Sequence, residues 1–268
     1  MTQLILPEDG GHWYRPDGIP MHWIENKSKP GENRATTMRD AKVLGLLPSV
    51  TVILRVLHRP ALQAYLINQH LLSAATLPRV EGETEDDFMR RVVVDARQHG
   101  ESAADFGTRI HSWMEWRLSE GQMPEPILNM GDYRIVAGLE ERLEANPIQV
   151  DMLETNLASA DLGYGGRLDC VGSIPSLGIP KSLIDWKTQE IGKRKGFNFY
   201  VENKFQGAAY ARLLSLSIGE QLPVCVIYIA RDVPNMIEAV QYKPHDGWSE
   251  FLACRVLWTS MVWERGDS

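Results

Sequence analysis

Nine residues, SLIDWKTQE (Ser182 to Glu190), constrain the fold more than any other stretch of the chain. They read as a strand, in which successive side chains point to opposite faces. Asp185 and Lys187 therefore share one face, while Ile184 and Trp186 pack on the other. Desolvating a carboxylate and an ammonium is costly without partners. A strand that carries both on one face implies a partner, a metal or a substrate beside it.

The surrounding punctuation changes character near residue 150. Before it, helical signals dominate. PSVTVILRVLHRPALQAYLINQHLL reads as a short helix stopped at Pro60 followed by a second one, because proline disfavours helix just before it. TEDDFMRRVVVDARQHG opens with a capping-box-like pair, Thr84 and Asp87, and is expected to close at Gly100. SAADFGTRIHSWMEWRLSEG repeats the device, from Ser102 and Asp105 to Gly121. A further amphipathic stretch runs from about Asp132 to Ala145, and HWYRPDGIPMHWI reads as a hairpin around Pro16, Asp17 and Gly18. After residue 150, QVDMLETNL, YGGRLDCVGSI and KSLIDWKTQ are short runs separated by Gly, Pro and Ser turns, the pattern of an antiparallel meander. A helix in NKFQGAAYARLLSLS, a buried strand in PVCVIYIARD, an edge strand around MIEAVQYK and a C-terminal helix from about Trp248 to Trp263 complete the order.

The fold class expected is thus α/β (α+β), a mixed central sheet flanked by helices. An N-terminal hairpin and helical cover (residues 1–148) would carry the histidine-bearing helix over a core in residues 149–268, the two forming one compact domain. At 268 residues and 44% hydrophobic content, the chain is long enough to bury such a core. Its longest relevant apolar run, VCVIYIA, is far short of the ~18 residues that cross a bilayer. The first residues have neither the basic-then-apolar pattern of a signal peptide nor the arginine-rich pattern of a transit peptide, so cytoplasmic residence is expected. Cys170, Cys225 and Cys254 are far apart in apolar surroundings and read as buried hydrophobes. The net charge of -7 argues against a protein that coats nucleic acid, though an acidic metal site is compatible with it.

The polar residues of the core carry the chemistry. In YGGRLDCVG, strand alternation places Leu168 and Cys170 on one side and Arg167, Asp169 and Val171 on the other. If this strand pairs with SLIDWKTQ through a turn, Asp169 lies beside Asp185 and Lys187. Two carboxylates held together shift each other's pKa unless a cation fills the gap, and a hard divalent ion such as Mg²⁺ suits them. The lysine can then orient or help deprotonate a water and offset charge building on a phosphate.

An aspartate followed on the next strand by Asp-x-Lys resembles the PD-(D/E)xK nuclease superfamily. Further stretches resemble its RecB-type branch. GTRIHSW is similar to the G-x-x-x-H element, with His111 at the margin of the helix face formed by Phe106, Ile110, Trp113 and Met114. FQGAAYARLL is similar to the Q-x-x-x-Y element, in which Gln206 and Tyr210 lie one helical turn apart. Glu154 in DMLETNL matches the acidic residue of the first core strand. In this order, over roughly residues 46 to 231, the motifs resemble the mitochondrial genome maintenance exonucleases and their bacteriophage and bacterial relatives. Leu168 stands where the superfamily's proline is familiar, and the iron–sulfur cysteines of some RecB-type relatives are missing, so no cluster is expected.

The resemblance implies a restriction-endonuclease-like core and metal-dependent phosphodiester hydrolysis. His111, Asp169, Asp185 and the main-chain carbonyl of Trp186 would hold Mg²⁺ or, given the nitrogen ligand, Mn²⁺. Lys187 would position the attacking water, Glu154 would complete the acidic pocket, and Gln206 and Tyr210 would support the site and the bound strand. Lys193, Arg194 and Lys195 of GKRKG, with Lys204 and Arg212, could grip phosphates. Tyr65, Trp113 and Trp116 could roof a channel for stacked bases. The partners expected are DNA, single-stranded or with free ends or flaps, in replication, repair or recombination, and a replication or recombination protein that delivers it. A structure-selective endonuclease and an idle nucleic-acid-binding module stay open as alternatives. The set His111, Asp169, Asp185 and Lys187 speaks against the idle module, because binding alone needs no metal-ligand constellation.

Overall fold

A computed structural model describes residues 12–57, 60–119, 128 and 131–264. The chain start and the helix end expected at Gly121 lie outside the described residues. The centre is a mixed five-stranded sheet in the order β5-β6-β7-β8-β9, formed by β5 (Gln149–Ser159), β6 (Tyr164–Ile174), β7 (Ile179–Gln189), β8 (Val224–Ala230) and β9 (Ile237–Tyr242). β5, β6 and β7 form the antiparallel meander that the turn residues predict. β7 and β8 run parallel, joined by the crossover helix α6 (Val201–Ile218), and β9 closes the far edge antiparallel to β8. β8 has the reading of a strand covered on both faces: all seven of its residues are buried.

Helices cover both faces of the sheet. One face packs Leu183, Val224 and Val226 against Phe205, Ala209 and Leu213 of α6 and Phe251 of α7 (Trp248–Trp258). Val50 and Ile53 of the short helix α2 (Val50–Ile53) join this layer from the N-terminal segment. The close approach of α6 depends on Gly207, where an added Cβ would fall 2.6 Å from Val224 Cγ1. The other face packs Ile184, Trp186, Cys225 and Ile227 against Phe106, Ile110, Trp113 and Met114 of α4 (Glu85–Ser119) and Ile135 and Leu139 of α5 (Tyr133–Ala145). The three cysteines are free and buried. Among the described residues no helix is long and apolar enough to cross a membrane.

Three sequence expectations are corrected or refined. The helices expected to end at Gly100 and to restart at Ser102 are one helix, α4, which runs through both positions. Its N-terminal cap is as predicted, with Asp87 N–H donating to Thr84 Oγ1 at 3.2 Å. A lone interior glycine weakens a helix by only ~1 kcal/mol, less than burial of the Phe106–Met114 face returns. The hairpin around Pro16 to Gly18 forms, with Arg15 N–H donating to the Ile19 carbonyl and Met21 N–H to the Trp13 carbonyl, both at 2.8 Å, and Tyr14 bridging Pro20, but its ladder reaches no further than that bridge. β1 (Trp13–Tyr14) pairs with β4 (Leu47–Pro48), and β2 (Trp23–Glu25) pairs with β3 (Asn33–Ala35). Finally, strict alternation fails in β6, where Leu168 packs with Val171 on the α6 face while Cys170 packs on the α4 face. The irregularity sits at Asp169, and it creates the site.

Candidate metal centre and active site

β6 and β7 part company at this point. Their pairing reaches Cys170↔Ile184, so the next opposed residues would be Asp169 and Asp185. Like charges directly opposite destabilise a ladder. The rungs stop there, and the Asp169 side chain takes over a main-chain role, its Oδ2 accepting from Trp186 N–H at 2.9 Å. Beyond the fork β6 stays paired with β5, from Thr155↔Leu168 onward, and β7 with β8, through Lys187↔Tyr228. The opening between them brings together side chains from both faces of the sheet.

His111 enters from α4. Its Nε2 lies 3.1 Å from the Trp186 carbonyl oxygen. A carbonyl only accepts, so Nε2–H is the donor, and in the neutral ring Nδ1 carries a lone pair. Nδ1 lies 3.6 Å from Asp169 Oδ2, another acceptor. A metal ion placed between them could accept both lone pairs. Glu154 enters from β5, where Leu153↔Cys170 and Thr155↔Leu168 bracket it opposite Asp169. Its φ of 46° lies in the left-handed region, a strained conformation for a glutamate that persists only where surrounding structure enforces it. One ligand atom from each of His111, Glu154 and Asp169 falls within 4.8 Å of the others.

Burial dominates the electrostatics of this triad. Burial and the neighbouring charge of Asp185 push Asp169 above its ordinary range, against the opposing pull of His111, Lys187 and the Trp186 N–H. Burial, then the charge of Asp169, pushes Glu154 up to about 7, despite Arg167. A divalent ion would relieve both. The donor set of one imidazole nitrogen and two carboxylates fits a divalent metal ion.

Asp185 and Lys187 stand beside the triad on the α6 face of β7, as strand alternation predicts. Lys187 Nζ lies 2.6 Å from Asp185 Oδ2, which is buried and has no hydrogen bond of acceptable angle. Burial pulls the Lys187 ammonium down, but Asp185 and Asp169 together outweigh it and hold its pKa above the ordinary lysine value. Tyr210 and Gln206 approach from α6, joined by Gln206 Nε2–H to Tyr210 Oη at 3.4 Å. Burial and the charge of Asp185 push the Tyr210 phenol up. Gly166 admits that ring, since a Cβ there would lie 2.3 Å from Tyr210 Cε1. Close approach of α6 to the sheet thus rests on Gly207 on the helix and Gly166 on the strand.

The remaining predicted residues are dispersed. Lys193 and Lys195 are exposed on the loop after β7. Arg194 folds back, its Nε donating to the Ile191 carbonyl at 3.1 Å and Nη2 to the Glu190 carbonyl. Lys204 lies about 200° around the helix from Gln206, over the Phe205 ring and near Glu250, so the structure does not bring it to the carboxylates. Arg212 lines a small surface pocket with Trp248. Trp113 is only 2% exposed and is a core residue, and Trp116 is partly buried against the same cluster, which corrects their reading as roof aromatics. Tyr65 lines a polar cleft of ≈ 500 Å³ with Arg109, Glu190 and Arg231, past the Lys187 end of β7.

Three residues near the triad escaped sequence reasoning as parts of the site. Arg167 Nε donates to Glu154 Oε2 at 2.5 Å, and its Nη2 lies 3.3 Å from Glu115 Oε1. Glu115 sits one helical turn past His111, a spacing that could have flagged it. Tyr14 is buried close enough to Arg167 for that charge to oppose the rise of its phenol pKa to about 12, which burial drives. No local signal marks Tyr14, because its position depends on the pairing of β1 with β4.

No family model matches the sequence, and no curated protein matches it. Among solved structures, the chain is similar to a protein from Eubacterium rectale named "Putative exonuclease", at 15% identity and a TM-score of 0.44, over 62% of this chain and 68% of that one.

Proposed function

We propose that this protein is a nuclease of the PD-(D/E)xK type that hydrolyses DNA phosphodiester bonds in the presence of Mg²⁺ or Mn²⁺. One observation carries the reading: the donors of His111, Glu154 and Asp169 converge within 4.8 Å at a strand fork, directly beside the buried Asp185–Lys187 pair. His111, Glu154 and Asp169 would hold the ion, with Asp185 and the Trp186 carbonyl at its margin. When bound, such an ion polarises a phosphoryl oxygen and lowers the pKa of water.

The chain's own residues supply positioning and charge. Lys187, kept protonated by two carboxylates, offers a fixed ammonium to a phosphate oxygen that gains charge in the transition state. Asp185 anchors that ammonium. Arg167 holds Glu154 in its strained conformation, and the Gln206–Tyr210 pair walls the α6 side of the fork. The preferred substrate is a strand with a free end, cut exonucleolytically. Digestion of end-labelled linear and circular single-stranded DNA, with Mg²⁺, Mn²⁺ or EDTA, tests the reading. Ion-dependent shortening of linear strands that spares circles supports the exonuclease, cleavage of circles makes the protein an endonuclease, and binding without hydrolysis under every ion overturns the enzyme.

A further inference from the structure

The loop between β7 and α6 contains an aromatic residue that hydrophobic burial does not explain. Phe199 is 45% exposed and Tyr200 37% exposed, whereas Phe197 in the same loop is 9% exposed. The loop is held firmly in this conformation. Gln189, at the end of β7, clamps Asn198 from both sides, accepting from its N–H at 2.7 Å and donating to its carbonyl at 3.1 Å. Asp232 accepts from the N–H groups of Ile191 and Gly192 at 2.8 and 2.7 Å. The clamp at Asn198 fixes the residue next to Phe199, so the ring is kept out by construction.

Its position is specific. Phe199 meets Tyr228 in a T-shaped contact, with centroids 5.0 Å apart. Tyr228 is the register partner of Lys187 on the neighbouring strand, and both side chains belong to the α6 face, roughly 5 Å apart. One buried ring therefore separates an exposed aromatic from the ammonium of the candidate site. The loop itself is basic: from Ile191 to Val201 the chain carries Lys193, Arg194 and Lys195 and no carboxylate. Lys193 and Lys195 are exposed.

A rigidly presented aromatic next to basic side chains is the combination that single-stranded nucleic acid requires, a face for a base and cations for its phosphates. We propose that Phe199 is a stacking platform for an unpaired base of a single strand bound near the fork, with Lys193 and Lys195 receiving the adjoining phosphates. Duplex bases are stacked on their neighbours and offer no free face to such a ring. The inference deepens the nuclease reading and rests on it only for the role of the fork.

The test is equilibrium binding in EDTA, where hydrolysis does not intervene. Fluorescence anisotropy of a labelled single strand and of a duplex of equal length is compared for wild type, Phe199→Ala and Phe199→Trp. Phe199→Ala is expected to weaken single-strand binding by about 5- to 150-fold, the equivalent of one stacked base, and to leave duplex binding unchanged. Phe199→Trp is expected to restore it, and a 2-aminopurine in the strand is expected to be quenched by wild type and not by Phe199→Ala. Single-strand affinity equal to wild type in Phe199→Ala, equal losses on both substrates, or no single-strand binding by wild type would each overturn the proposal. Retained stacking without hydrolysis under any ion would sink the nuclease reading alone.

Discussion

The side chain of Asp169 occupies the place of a main-chain partner for Trp186, accepting its N–H at 2.9 Å one step past the last β6–β7 rung. The same carboxylate faces His111 and lies opposite Glu154. Fold and site are thus joined at one residue. Asp169→Asn keeps the size and can keep the acceptor for Trp186 N–H, so the melting temperature should stay within a few degrees. Isothermal titration with Mn²⁺ should show affinity reduced by about 10-fold or more, because a charged ligand is lost.

Protonation gives a second prediction. Glu154 is pushed up to about 7 and Asp169 is also raised. A carboxylate raised on folding binds protons more tightly in the native state, so it stabilises the protein below its unfolded pKa. That contribution is lost as pH rises through the folded value. In EDTA, this part of the stability should therefore fall between about pH 5 and pH 8, and Glu154→Gln should flatten the trend in thermal melts. With Mn²⁺ present the sign reverses, since the ion binds the deprotonated form. Activity should drop about tenfold per pH unit below 7 if one such proton controls it.

The Asp185–Lys187 pair predicts a separation of stability from activity. Asp185 is 5% exposed in its side chain, so Lys187→Ala strands a buried charge. The expected loss is at the low end of about 3–5 kcal/mol, because Lys187 itself is a quarter exposed. The double variant Asp185→Leu with Lys187→Met should recover most of that stability in urea unfolding and have no hydrolytic activity. Recovery of activity in that variant would remove Lys187 from the mechanism.

Gly166 tests the packing of the tyrosine. Gly166→Ala puts a methyl group against the Tyr210 ring, where the gap is 2.3 Å, and should destabilise by about 1–3 kcal/mol. In a Tyr210→Leu background the same change should cost clearly less, measured as a shift of the urea midpoint at constant slope.

Much of this was legible in the sequence because it is written in local periods. The alternation in SLIDWKTQ placed Asp185 and Lys187 on one face and Trp186 on the other, and the turn residues around β5, β6 and β7 marked the meander. Pro60 separated two helices, and Thr84 capped α4. What local rules missed is tertiary. Gly100 reads as a stop, yet burial of a face ten residues later carries α4 through it. β6 departs from alternation at Asp169 because two aspartates would otherwise oppose each other across the ladder, a conflict visible only once the register is known. Tyr14 and the Arg167–Glu115 bridge depend on contacts between segments distant in sequence. The exposed lysines and Lys204 read alike in composition, and only the fold separates those on the loop after β7 from the helix flank turned toward Glu250.

The most direct test of the central claim is the initial rate of phosphodiester hydrolysis on a 5′- or 3′-labelled single strand, for wild type and Asp169→Asn, across a Mn²⁺ titration from EDTA upward. The account predicts no hydrolysis in EDTA, a saturable rise in rate with Mn²⁺ for wild type, and a loss of at least about 100-fold for Asp169→Asn at saturating ion. Hydrolysis that persists in EDTA, or that Asp169→Asn leaves intact, would contradict it.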